Sequence, residues 1–159
     1  GENIDVVAGL IDEGFSSAYG CEMLELFQAP VRCALSRYHP LASKKILTAS
    51  DLAGEKLLLL KRSGFKRIDA LRADISRNWP EVEIVDFPFY DITVFNRCET
   101  QGCLLMTIEN WDNVHPLLKT LPVEWDYTLP FGLMFSPNPS PQVLAFLKKK
   151  KKITNAKPL

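Results

Sequence analysis

The chain reads as an α/β fold, and three observations carry that reading. Leu57-Leu58-Leu59-Leu60 is a short continuous apolar run, the pattern of a strand covered on both faces, and Lys61-Arg62-Ser63-Gly64 breaks it abruptly. The period then changes. Phe65, Ile68, Leu71, Ile75 and Trp79 recur at near-helical spacing, with Lys66, Arg67, Asp69, Arg72 and Asp74 between them on what reads as the solvated side, until Pro80 ends the helix. Val82-Glu83-Ile84-Val85 alternates as a further strand, so a helix stands between two strands in βαβ order.

The remaining elements follow from local chemistry. Residues 3–9 form a β-branched stretch ending at Gly9, followed by a small-residue, acidic loop from Leu10 to Gly20. That first strand has no partner before it, which reads as the later portion of a longer sequence. Cys21 to Gln28 mixes helical and strand periods. In Ala29 to Ser36, Val31, Cys33 and Leu35 alternate with Arg32 and Ala34 as a half-buried strand. After the Tyr38-His39-Pro40 turn, Thr48 or Ser50 is placed to cap a short helix before Gly54. Asp91 is the N-cap expected for a helix that stops near Gly102, and Cys103 to Ile108 is the next buried strand. Glu109 to Pro130, rich in Trp and Pro, predicts a surface connection with one extended piece at Val123 to Tyr127. Phe131 to Phe135 is a strand. Ser140-Pro141 then supplies an N-cap and first position for a last helix, with Lys148 to Lys152 at its end and residues 153–159 as a tail.

Length and composition narrow the function classes. The 159 residues suffice to bury a core without covalent staples, and 47% hydrophobic with 24% charged residues is globular composition. Nineteen basic residues cancel nineteen acidic ones, which argues against a chain that grips nucleic acid through its overall field. Cys21, Cys33, Cys98 and Cys103 lack the spacing of a zinc site or redox dithiol and read as free, mostly buried thiols, pointing to a reducing, cytoplasmic setting. No apolar run approaches the ~20 residues of a membrane helix, and no membrane partner is expected. His39 and His115 both precede proline, but neither stands in a motif with a nucleophile or metal-ligand spacing. Neither a catalytic residue, a metal nor a cofactor is expected. Trp111, Trp125, Tyr127 and Phe131 read as core in preference to a stacking pocket.

A buried strand running through a polar loop into a helix N-terminus leaves N–H groups and a positive dipole end at its carboxyl edge. Open α/β sheets bind small ligands there. The order of several short motifs then suggests a family. His39-Pro40-Leu41-Ala42, followed by Asp51-Leu52-Ala53-Gly54-Glu55 and the Leu57 strand, resembles the segment of LysR-type transcriptional regulators in which a His-Pro-Leu-Ala turn precedes an Asp-Leu pair. Ile4 to Val7, Glu99 to Met106, and Phe131 to Phe135 with the helix from Pro141 resemble that family's strand, helix–Gly–strand and closing units, and the likeness covers most of residues 3 to 150.

The resemblance implies a type 2 periplasmic-binding-protein-like fold, in which two α/β lobes close over a small effector. One lobe would be near complete here and part of a second present. Residues of about 10–110 are expected mainly in lobe two, 1–9 and 111–150 mainly in lobe one and the hinge, and 151–159 as tail. By position, the effector site would use Gly9 and Leu10, then Arg62, Ser63, Gly64 and Phe65, then Tyr90 and Asp91. Ser63 reads equally as a ligand donor and a helix cap, Arg62 as a carboxylate clamp or a solvated arginine, and Tyr90 and Asp91 as site residues or simple turn closers. The implied function is a ligand-sensing, non-enzymatic regulatory domain, cytoplasmic and homodimeric, acting on DNA through an N-terminal winged helix-turn-helix domain that these residues do not include. A transporter's solute-binding protein shares the fold and is the alternative. An enzyme lobe of the same fold is a more distant one.

Overall fold

The computed structural model describes residues 6–11, 20–61, 66–108, 115–138 and 140–156, with side chains described as far as Lys150. The chain divides into two compact units. One comprises Gly1–Gln28, Gly64–Lys66 and Leu129–Leu159, and the other Ala29–Ser63 and Arg67–Thr128. The divisions fall later in the chain than the boundaries near 10 and 110 read from the sequence.

The second unit is built on β2 (Glu22–Ser36), β3 (Lys56–Leu60), β4 (Glu83–Phe87), β5 (Leu104–Ile108) and β6 (Leu118–Pro122). The later half of β2 pairs antiparallel with β6 on one side and β5 on the other, and β3 and then β4 continue the sheet in parallel. β3 is buried from Leu57 to Leu60, as its unbroken apolar run requires of a strand with neighbours on both sides, and β5 is buried throughout. The short helix α1 (Ala49–Leu52) starts with a capping box. Thr48 Oγ1 accepts from Asp51 N–H while the Asp51 carboxylate accepts from Thr48 N–H at 2.9 Å, and Lys44 Nζ donates to the same carboxylate.

α2 (Lys66–Asn78) buries Ile68, Leu71 and Ile75, and also Arg72, which the periodicity had assigned to the solvated side. Arg72 lies one turn after Ile68 and beside Leu71, and it is held by partners that periodicity does not reveal, described below. α3 (Ile92–Gln101) starts at Asp91 and stops at Gly102, whose φ of 65° is the left-handed C-cap conformation that glycine adopts without a Cβ penalty. Cys33, Cys98 and Cys103 are free thiols buried in this unit.

Two expectations for this unit change. The extended piece after the Trp-rich segment is β6, at Leu118–Pro122, and Val123 contributes only an isolated bridge to Leu47. β6 is an edge strand, where Pro122 needs no ladder donor. Trp111 lies outside the described residues. Trp125 and Tyr127, expected in the core, are only half-buried; Trp125 stands edge-on to Trp79 at 5.4 Å and beside Tyr127 at 5.1 Å, and its indole donates to Val31 O.

The first unit contains β1 (Val6–Leu10), the first part of β2, β7 (Thr128–Phe135) and α4 (Pro141–Ala156). Cys21 to Gln28, ambiguous by pattern, lies almost wholly in one long strand that runs on through Ser36. β1 pairs antiparallel with β7, Val6 opposite Phe135 and Leu10 opposite Phe131. Leu133, Val143 and Leu147 form a buried cluster among the described residues, with Val6, Leu24, Leu26 and Phe135 packed against it. Gly132 passes so close to β2 that a Cβ there would stand 2.1 Å from Leu24 O. Phe131 stacks on Phe27 at 5.1 Å. Ser140 caps α4 as expected, its Oγ accepting from Val143 N–H at 3.2 Å. The helix then runs through the lysines to Ala156, further than expected, because the next breaker in the sequence is Pro158.

Candidate functional site

β5, β3 and β4 are parallel, so Ile108, Leu60 and Phe87 end at one edge of the second unit. The ladder extends one residue past β3, Lys61 N–H donating to Phe87 O at 2.9 Å. Residues 62–65, which join that point to the first residue of α2, include the expected Arg62, Ser63, Gly64 and Phe65 and lie outside the described residues. What is described around them is a polar frame. Arg72 Nη2 donates to Leu60 O at 2.6 Å, and Nη1 pairs with the Asp86 carboxylate, whose side chain is 60% exposed. The guanidinium thus ties the end of β3 to β4 and brings a buried cation beneath the strand edge.

Tyr90 and Asp91 sit at the same edge, in the turn from β4 into α3. Tyr90 Oη donates to Met106 O at 2.6 Å, and its ring meets Phe87 edge-on at 4.7 Å. Burial, with a smaller contribution from the Cys33 thiol, pushes the phenol far above its ordinary range, so it stays a donor. Asp91 accepts from Thr93 and Val94 N–H at 2.9 and 3.2 Å. Both side chains hold the turn in shape and present backbone and neighbours to the edge. Those neighbours include Phe89 and Ile92, 60% and 61% exposed, an apolar pair beside the polar frame.

Two further polar atoms were not singled out from the sequence. Thr107, on β5 directly opposite Arg32 of β2, is fully buried, and its Oγ1 has no hydrogen-bond partner among the described residues. The same holds for Oδ1 of Asp69 in the first turn of α2. A hydroxyl in an otherwise apolar Leu-Leu-Met-Thr-Ile strand was the available signal, since a buried unmatched polar group costs about 1–3 kcal/mol unless something satisfies it. Gly9 and Leu10 belong to the first unit, where they pair with Gly132 and Phe131.

The two histidines are structural. In each His-Pro-Leu segment the ring Nδ1 accepts from the leucine N–H two residues on, Leu41 to His39 at 3.0 Å and Leu117 to His115 at 3.1 Å. Nε2 is left to bond Glu55 Oε1 in the first case and Asn96 Oδ1 in the second. His39 also lines a cleft of about 500 Å³ with Tyr38, Glu55, Glu99 and Gly102. Burial raises the thiols of Cys33 and Cys98, the latter to about 12, so they behave as small apolar groups and not as nucleophiles. No cluster of metal-ligating side chains occurs among the described residues.

No protein-family model matches the sequence, and no curated protein matches it. Solved structures do. The effector-binding domain of QuiR in complex with shikimate superposes with a TM-score of 0.67 at 20% identity, covering 98% of this chain and 74% of that one. The Synechocystis PCC6803 CcmR regulatory domain in complex with 2-PG gives 0.66 at 14% identity, covering 97% and 74%. CbnR, a LysR family transcriptional regulator, gives 0.69 at 15%, covering 97% of this chain and 53% of that one. The chain therefore has the fold of LysR-type effector-binding domains, the type 2 periplasmic-binding-protein-like fold.

Proposed function

We propose that this chain is the ligand-sensing part of a LysR-type transcriptional regulator, and that it binds a small effector at the carboxyl edge of β5, β3 and β4. The observation that carries the reading is the fold. It matches effector-binding and regulatory domains over nearly the whole chain, two of them in complex with small molecules. The edge supports the reading chemically. Backbone donors at the start of α2, the Arg72–Asp86 pair, the Thr107 hydroxyl, which has no partner among the described residues, and the exposed Phe89 and Ile92 together suit a small molecule with an anionic or hydroxylated end and an apolar body.

In this proposal Arg62, Ser63, Gly64 and Phe65 contact the effector, and Tyr90 and Asp91 shape the turn beside it. Gly9 and Leu10 enter through the family resemblance alone. The chain catalyses no reaction and acts in the cytoplasm as a homodimer, and DNA contact of the sequence-specific kind is made by a separate winged helix-turn-helix domain. The neighbours are regulators, so the solute-binding alternative draws no support from them. No helix among the described residues is long and apolar enough to cross a membrane.

The test is a thermal-shift screen against small carboxylates and hydroxylated or aromatic acids, with Ser63→Ala and Arg62→Ala alongside. A ligand at a hundredfold excess over its Kd stabilises the native state by about 2.7 kcal/mol. A hit weakened in both variants is the expected outcome. A hit indifferent to both moves the site away from the strand edge, and an empty screen removes the sensor reading.

A further inference from the structure

α4 carries Lys148 to Lys152 in succession, and the structure changes what that run means. As a cationic last turn it would complement the negative end of the helix dipole. The helix instead continues four residues beyond Lys152 to Ala156, and its last turn holds no basic residue. The dipole's effect fades within one turn of the helix end, so it does not account for lysines placed earlier. Five successive positions at about 100° per residue also pass completely round the helix axis, so the run is not confined to one side.

The face of α4 that packs is set before the run, by Val143 and Leu147 against Leu133. Lys148 and Lys149 are exposed, and neither has an ion-pair partner among the described residues, although Glu22 and Glu25 of the same unit are exposed too. Lys150 Nζ lies over the Phe146 ring, 5.4 Å from its centroid. Charge is segregated along the chain as well. Six lysines and no acidic residue follow Asp126, and the run takes five of the nineteen basic residues, leaving fourteen against nineteen acidic ones. Like charges three and four apart destabilise a helix, and a polyanion relieves that repulsion.

We infer that this stretch of α4 is a docking surface for the phosphate backbone of duplex DNA, independent of base sequence. The choice of DNA rests on the regulator reading above, which brings the chain close to DNA. The chemistry is that of ammonium groups neutralising successive phosphates with release of counterions. An anionic lipid surface fits less well, because an interfacial helix buries a broad apolar face among headgroups. Here the core of the first unit already covers Val143 and Leu147, leaving, of the described large apolar side chains on α4, only Leu144 and Phe146 part-exposed.

The experiment is fluorescence anisotropy of this chain with a random-sequence duplex of about 30 base pairs, titrated between about 50 and 200 mM salt. If four phosphates are neutralised, affinity falls about 100-fold over that range. A double variant, Lys148→Gln with Lys149→Gln, is expected to cut the salt slope by about 2 and weaken binding about tenfold at low salt. Its melting midpoint does not fall, since both side chains are exposed and their loss relieves like-charge repulsion along the helix. Absence of binding at low salt, equal binding by the variant, or binding to phosphatidylserine vesicles but not to DNA each overturns the inference. An empty effector screen with intact DNA binding removes only the sensor reading, and the converse removes only this one.

Discussion

The two units solve the same packing problem with very different amounts of material. In the second, Leu57, Leu58, Leu59, Leu104, Leu105, Met106 and Ile108 are all fully buried on central parallel strands. In the first, the buried cluster among the described residues is Leu133, Val143 and Leu147, helped by partly exposed Val6, Leu24, Leu26 and Phe135, and Ile11 and Leu129 are also buried in that unit. The comparison teaches where each unit is vulnerable. A thick core loses most when side-chain volume is removed, whereas a thin one that depends on close backbone contact loses most when volume is added.

Deletion in the thick core should have the largest effect. Leu59→Ala leaves a cavity on a fully buried central strand and is expected to cost about 4 kcal/mol, against about 2 kcal/mol for Leu133→Ala in the first unit. Urea denaturation of the two variants measures both, and equal losses would break the comparison. Gly132→Ala comes next and reverses the order of the units. The new Cβ would meet Leu24 O at 2.1 Å and Glu25 Cα at 2.9 Å, and backbone cannot turn aside as a side chain does. A loss of about 3 kcal/mol is expected, at the upper end of what overpacking costs.

The smallest expected effect separates the units by pH. In the second unit the hydrogen bond from Lys44, then that from Thr48, holds the Asp51 carboxyl below its ordinary range. Asp74 is lowered in the same direction, first by its hydrogen bond with Tyr127 and then by Arg77. A carboxyl with a depressed folded-state pKa contributes stability that is present above the ordinary carboxylate range, about pH 4, and is lost as pH falls through the folded value. The start of α4 in the first unit is held by Ser140, which does not titrate. Acidification from about pH 5 to pH 2, followed by residue-resolved hydrogen exchange, should therefore weaken the second unit before the first, and Asp51→Asn should remove part of that slope.

Legibility from the sequence followed the range of the interactions. Asp91 and Gly102 bounded α3, Ser140-Pro141 opened α4, and the Leu57 run marked a buried strand, since each signal lies within a few residues of what it governs. Cys21 to Gln28 was not legible, because its apolar residues Met23-Leu24 and Leu26-Phe27 come in adjacent pairs and do not alternate, and only the pairing of the long strand fixes its conformation. The candidate site was legible as an edge and not as a set of atoms. Tyr90 and Asp91 lie in the turn from β4 into α3, but the hydrogen bond from Tyr90 to Met106 and the lack of a partner for Thr107 Oγ1 among the described residues depend on strands brought together from elsewhere.

By itself the sequence determined the alternation of strands and helices, the caps, the free thiols and the resemblance that named a fold, because these rest on local periodicity and on neighbours within about one turn. Tertiary structure alone decided that Arg72 is buried, that β6 lies where no alternation announced it, that two His-Pro-Leu turns bond different partners, and that the lysine run stands inside a helix. The first three depend on a partner far along the chain. The reach of α4 depends on where its helix stops, and Arg72 shows the general reason most plainly: its charge reads as solvated until Leu60 O and Asp86 arrive from two other strands to receive it.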